Sequence, residues 1–187
     1  MLAAMARAAT LPLGITLSAM LLHMALAGEP TVLPALSDNE TLPAASLSAG
    51  EMDEIIAQIE DTSFDAAEDW PAELRGRRLR LGDNDGLLVR GTRLLCGGTG
   101  NCQTWLFHRV NGEWRGLFSE QAPIGESIAF AGESHGGLPD VVIDAHISAA
   151  ASDRTIFAFD GSFYRAARCF AVATDAGQER ATPAACR

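Results

Sequence analysis

Apolar positions change period along this chain, and the changes mark its elements. Met52, Ile55, Ile56 and Ile59 recur at helical spacing, which lays one apolar stripe on an amphipathic helix. Ser48 and Glu51 make a capping box ahead of it, and Leu47 with Met52 supplies a hydrophobic staple. A helix is therefore expected from about Ala49 to Glu60, with Asp53, Glu54 and Glu60 largely on its solvated side. From Arg77 onward the pattern shortens to strands and turns. Leu79 to Leu81, Leu87 to Val89 and Arg93 to Cys96 are apolar runs separated by Gly82-Asp83-Asn84-Asp85-Gly86 and by Gly91. The Asp83 to Gly86 stretch lacks the alternating ligands and distal Glu of a calcium loop, so it reads as a hairpin turn.

Asn111-Gly112 is a type I′ hairpin signal. It sets Val110 opposite Glu113, Arg109 opposite Trp114, Phe107 opposite Gly116 and Trp105 opposite Phe118. Alternation then gathers Trp105, Phe107, Trp114 and Phe118 on one face, expected to be core, and Leu106, His108, Glu113 and Arg115 on the other. Asp160-Gly161 repeats the signal, with Phe157 expected opposite Tyr164 and Ile156 opposite Arg165. Ser127 to Ala131 and Val141 to Ser148 are further strands. The fold class that follows is α+β: a mainly antiparallel β-sheet with one N-terminal amphipathic helix packed on it.

The first 27 residues follow a different logic. Arg7 precedes an apolar run from Leu11 to Leu26, broken by Pro12 and Gly14, and Ala25-Leu26-Ala27 offers small side chains to a signal peptidase. Residues 1–27 are therefore expected to be a cleaved signal peptide, which leaves no membrane anchor and directs the chain to the periplasm or outside the cell. Residues 28–46, carrying Pro30, Pro34 and Pro43 without apolar periodicity, read as a flexible tether, and residues 47–187 as a single domain.

Charge narrows the partners. After cleavage 13 Arg stand against 24 acidic residues, a net −11. Such a surface repels nucleic acid and attracts cationic proteins. The chain has no Lys, which excludes Schiff-base and P-loop chemistry. Cys96, Cys102, Cys169 and Cys186 form an even set suited to an oxidising compartment. Pairing Cys96 with Cys102 and Cys169 with Cys186 closes the shortest loops over residues that bend, and is the favoured one of three connectivities. Neither spacing is that of a zinc knuckle.

Two places carry candidate chemistry. On a strand, Asp140, Asp144 and His146 point the same way, with His135 nearby, so a metal or acid-base site is one reading and a solvated strand face the other. The second place is Cys96-Gly97-Gly98-Thr99-Gly100-Asn101-Cys102, where three glycines permit tight turns and a disulfide would hold the neck. A rigid exposed tip results, with Thr99 and Asn101 as its polar side chains.

The stretch from Leu79 to Ser119 resembles the Ivy family of periplasmic inhibitors of C-type lysozyme. The resemblance rests on Leu81-Gly82-Asp83 on an early strand, the cysteine-closed loop from Cys96 to Cys102, the apolar strand after it and Gly116-Leu117-Phe118-Ser119. It implies a loop that enters a lysozyme cleft, which in that family presents a histidine. Here no histidine lies between Cys96 and Cys102, so Thr99, Asn101 and backbone groups are the hydrogen-bonding candidates. The leading expectation is a secreted or periplasmic protein-binding domain, an inhibitor of a lysozyme-like hydrolase acting through the Cys96 to Cys102 loop. The alternatives are a metal-dependent hydrolase using His135, Asp140, Asp144 and His146, and a structural envelope protein of no catalytic function. No cofactor is called for.

Overall fold

A computed structural model describes residues 30–63, 70–119 and 121–186. The expected signal peptide, residues 1–27, lies outside the described residues. The elements are strand β1 (Thr31–Val32), helix α1 (Ala49–Ser63), and strands β2 (Leu74–Leu81), β3 (Asn84–Gly91), β4 (Cys102–Val110), β5 (Glu113–Gly116), β6 (Ile124–Gly125), β7 (Ser127–His135), β8 (Leu138–Ser148), β9 (Ala151–Phe159), β10 (Tyr164–Asp175) and β11 (Gln178–Ala184). Strands β2-β3-β4-β5 form one antiparallel sheet and β1-β7-β8-β9-β10-β11 a second, while β6 pairs with the start of β4. The architecture is α+β and mainly β, as the residue pattern implies.

Alternation along the central strands explains how three layers stack. Leu87, Val89, Trp105, Phe107 and Trp114 face Ile55 and Ile59 of α1 in one core. The intervening Leu88 and Leu106 face Val141, Ile143, Phe159 and Tyr164 of the six-stranded sheet in a second core. The first sheet is thus buried on both faces, which is why Leu87-Leu88-Val89 and Trp105-Leu106-Phe107 are continuous apolar runs. The face carrying Leu106 and His108 is accordingly not a solvated one. His108 packs edge-on to Phe159 at a centroid distance of 6.3 Å, and burial, with Arg115 nearby, lowers its pKa from the ordinary 6.5.

The helix start is built as its sequence implies. The Ser48 N–H donates to Glu51 Oε2 at 2.9 Å and the Glu51 N–H to Ser48 Oγ at 3.3 Å. Glu51 Oε1 also accepts from the Trp114 indole at 3.0 Å, with Arg109 at 3.2 Å. One carboxylate therefore caps the helix and fastens it to the sheet. Further along, Gln58 Nε2 donates to the Trp114 carbonyl and Gln58 Oε1 accepts the Gly116 N–H, both at 2.9 Å, so a helix side chain covers part of the exposed edge of β5.

Several expectations need correction. Residues 30–46 are packed on the body and do not form a free tether. β1 pairs with β7, Leu33 and Leu36 join the second core, Leu42 and Ala45 join the first, and Glu40 accepts from Arg77 Nε and Nη2. Prolines suppress periodicity there without preventing an extended segment from docking scattered leucines. Arg93–Leu95 is a single 3-10 turn with Arg93 at φ 38°, not a strand. The β2–β3 turn is the two-residue Gly82-Asp83, with Leu81 opposite Asn84, so both strands are longer than their apolar runs. The Asn111-Gly112 register is as expected from Val110 with Glu113 through Phe107 with Gly116. β5 ends at Gly116, however, and Phe118 turns into the second core against Phe157 and Tyr164. At the second hairpin Asp160 Oδ1 accepts the N–H groups of Ser162 and Phe163, both at 2.8 Å. This Asx-type cap lengthens the loop to four residues, so Tyr164 lies opposite Phe159, and a bulge follows.

Acid sensitivity follows from two of these contacts. Glu51 is held from its ordinary 4.5 down to about 2, chiefly by the Ser48 N–H and the Trp114 indole, and Glu40 to about 2, chiefly by Arg77. Both folded values lie below the unfolded one, so this stabilisation is complete above pH 4.5 and is lost as pH falls towards about 2. The urea midpoint should decline across that window, and Glu51→Gln should lower the midpoint at neutral pH while flattening part of the decline. A midpoint constant through the window would refute these anchors.

Candidate functional site

The Cys96 to Cys102 loop leaves the 3-10 turn at Leu95 and returns as β4. Cys96 and Cys102 are disulfide-bonded with Cα atoms 3.9 Å apart, and they also form an isolated antiparallel bridge. Within the loop the Gly97 N–H donates to the Asn101 carbonyl at 2.7 Å and the Gly100 N–H to the Gly97 carbonyl at 3.0 Å. Gly100 sits at φ 81° with nothing within 4 Å of where a Cβ would stand, so glycine is used there for its backbone freedom. Residues 97–100 are exposed.

Asn101 decides how firmly the loop is placed. Its Nδ2 donates to the His146 carbonyl and its Oδ1 accepts the His146 N–H, both at 2.7 Å. The side-chain amide thereby acts as one more strand residue alongside β8. A third bond runs from Asn101 Nδ2 to Thr99 Oγ1 at 2.8 Å. Of the two polar residues expected at the tip, Asn101 is turned inward as an anchor and half-buried, whereas Thr99 is exposed with its hydroxyl already accepting one bond. What the tip presents to solvent is therefore the Thr99 side chain and the loop backbone. The other disulfide, Cys169 to Cys186, joins β10 to the segment after β11, so both favoured pairings are present. Two disulfides fit an extracytoplasmic compartment. No helix among the described residues is long and apolar enough to cross a membrane.

Around the loop lies an apolar rim that its cysteines and glycines do not announce. Leu94 is 64% exposed and Ile124 52%, and with Leu95, Cys96, Gly97 and Gln103 they line a shallow groove of about 200 Å³. Ile147, 55% exposed, follows the residue that Asn101 grips. These are three of the five large apolar side chains left out in solvent among the described residues, and their gathering beside one loop is the kind of patch that marks a contact surface. Gly125 allows β6 to approach β8 closely, since a Cβ there would stand 2.4 Å from Ile143 Cγ2 and 2.8 Å from the Asp144 carbonyl. Arg90 Nη2 supports the same strand by donating to the Gly125 carbonyl at 2.7 Å, and burial lowers its pKa from 12.5. The sequence signal for Leu94 was absorbed into a supposed strand, and Ile124 carried no signal at all.

The acidic and histidine residues of β7 and β8 are distributed over three separate ionic contacts. His135 Nδ1 lies 2.6 Å from Asp140 Oδ1, with Arg168 3.7 Å from the other oxygen and also paired to Glu133. Asp144 is clamped by Arg154 at 2.7 Å and 3.0 Å. His146 faces Glu126 at 3.3 Å. Asp140, Val142, Asp144 and His146 do share a face of β8, but Asp140 and Val142 are buried, so the alternation is not that of a simple solvated row. No group of three or more His, Cys, Asp or Glu among the described residues is placed to hold a metal ion. Comparison with protein-family models, curated proteins and solved structures finds no match to this chain.

Proposed function

We propose that the chain is a periplasmic or secreted binding protein that captures a cationic protein through the Cys96 to Cys102 loop and its apolar rim, with a lysozyme-like cell-wall hydrolase as the partner class. The observation that carries this reading is the double bond from Asn101 to the His146 backbone beside a disulfide neck. A loop tied at two points loses little entropy on contact, and the adjoining Leu94 and Ile124 give such a contact area to bury. The net charge of −11 after leader cleavage supports a cationic partner and fast, salt-sensitive encounter. The lysozyme class itself rests on the sequence resemblance alone.

Surface plasmon resonance against purified C-type lysozyme, with cell-wall turnover assayed in parallel, tests the proposal. Binding is expected, with an association rate that falls as salt rises and a dissociation rate that barely moves. Absence of binding at low salt would remove the lysozyme assignment. A pull-down from cell-wall hydrolases at low and high salt then tests the wider class, and recovery of no cationic hydrolase would remove that too.

A further inference from the structure

A specific protein–protein contact takes about 800 Å² from each partner, spread over about 20 to 30 residues. Residues 97–100 at the loop tip fall well short of that. Further contact surface adjoins them at Ile124. On one side Ile124 borders the groove beside the loop, and on the other a hollow of about 510 Å³ where Phe118, Pro123, Phe157 and Ala166 stand. Phe157 and Ala166 in turn border a third hollow of about 360 Å³, which passes over Cys169 and Ala171 to Ala184. One trough therefore runs from the Cys96–Cys102 disulfide to the Cys169–Cys186 disulfide. Strand register explains why it is open. Ile143, Thr155, Cys169 and Ala184 form one cross-strand row, and Val141, Phe157 and Ala166 another. Each row begins buried against the first sheet, at Ile143 and Val141, and ends exposed, at Ala184 and Ala166, where that sheet no longer covers it.

We propose that this trough is a second contact surface for the cationic protein, taking an apolar side chain against Phe118 and Phe157 and a lysine or arginine at Asp153. The identity of the partner rests on the loop reading above. Continuity through Ile124 puts the loop and the trough within reach of one partner. The aromatic floor is already set, with Phe118 and Phe157 packed edge-on at a centroid distance of 5.4 Å, so an incoming side chain orders little. Charge selects the partner. Among the described residues lining the trough, Arg154 is paired with Asp144 and Glu179, and Arg165 with Asp160. Asp153, by contrast, is exposed and has no partner among the described residues, so the trough offers a free carboxylate and engaged cations. A second copy of this chain, also at −11 after leader cleavage, would meet like charge.

Ala166→Trp and Ala171→Trp place bulk in the trough, and Ala181→Trp places it on the opposite face of the sheet as a control. By surface plasmon resonance, each of the first two should speed dissociation of C-type lysozyme about tenfold, the effect of losing one well-packed anchor, and Ala181→Trp should change neither rate. A blocked hexapeptide of alternating arginine and leucine gives a readout independent of lysozyme. On the ¹⁵N-labelled protein it should shift the amides of Thr155, Phe157, Ala166 and Ala171 saturably, and a glutamate–leucine hexapeptide should not. Asp153→Asn should weaken the basic peptide about threefold, as for an exposed ion pair. Unchanged lysozyme rates for both folded trough variants, with Cys96→Ser and Cys102→Ser together still accelerating dissociation, would overturn the trough and leave the loop reading standing. If lysozyme does not bind, the lysozyme assignment falls, and the peptide decides: saturable shifts support the trough and their absence overturns it. A dimer in sedimentation equilibrium that Ala171→Trp breaks would put a second copy in the trough and overturn the proposal as well. Circular dichroism checks the fold of each variant.

Discussion

Replacing Trp114 by Ala should lower the stability of the domain by about 3 to 5 kcal/mol, the range found when a buried large aromatic is truncated. Trp114 is 1% exposed and lies where the helix meets the sheet edge. Its ring is flanked by the guanidinium groups of Arg78 and Arg109 at 5.3 Å and 5.6 Å from the ring centre. Its indole donates to Glu51, which also caps the helix. Truncation therefore opens a cavity and at the same time deprives Glu51 of a donor, so the helix cap and the core should weaken together. Trp114→Phe separates the two, because it keeps most of the volume and loses the indole bond, and should cost about 1 to 2 kcal/mol. Urea unfolding followed by circular dichroism measures both. A loss below about 1 kcal/mol for Trp114→Ala would mean that the ring contributes little more than an exposed side chain does.

That ring is legible in the sequence because one local signal carries through to it. Asn111-Gly112 fixes a two-residue turn, the turn fixes the register, and the register puts Trp105, Phe107 and Trp114 on one face. The capping box at Ser48 and Glu51 is equally local, and it stands as expected. Signals failed where the deciding contact comes from elsewhere in the chain. Phe118 continues the apolar alternation of its strand, but a parallel bridge to Tyr164 pulls it into the other core. Asp160-Gly161 has the same form as Asn111-Gly112, yet the Asp160 side chain takes two backbone N–H groups and shifts the register. Leu33, Leu36 and Leu42 have no common period because they dock on different layers.

The candidate site divides along the same line. Its neck could be read from the spacing of Cys96 and Cys102, since short-range pairing closes a small loop. Its placement could not. Asn101 reaches forty-five residues along the chain to His146, and nothing in the local sequence distinguishes an anchoring asparagine from a solvent-facing one. The rim residues Leu94 and Ile124 come together only because β6 pairs with the start of β4. The acidic and histidine residues of β7 and β8 look like one cluster on an isolated strand, and the arginines of β9 and β10 divide it.

The loop itself yields the sharpest functional expectation. With Cys96 and Cys102 both replaced by Ser, dissociation from the proposed partner should accelerate by about tenfold to a hundredfold, while unfolding stability falls by less than the roughly 2 kcal/mol that closing so short a loop is worth. The asymmetry has a physical origin. A disulfide stabilises by denying entropy to the unfolded chain, but residues 97–100 are exposed and three of them are glycine, so the uncut loop would regain the same freedom within the folded protein. Binding must then supply the ordering that the disulfide had supplied. Asn101→Ala removes the second tie and should raise the dissociation rate in the same direction. Because both ties act on one short loop, their combined effect should be smaller than the sum of the separate ones. Thr99→Ala should do less than either, since the Thr99 hydroxyl already accepts the Asn101 amide. Neutralising exposed acids far from the loop should leave dissociation unchanged and slow association, and added salt should imitate that. Surface plasmon resonance gives both rates, and circular dichroism checks that each variant is folded. Dissociation rates that stay at the wild-type value for Cys96→Ser with Cys102→Ser and for Asn101→Ala would remove the loop as the recognition element, leaving a stapled turn whose anchoring serves the fold alone.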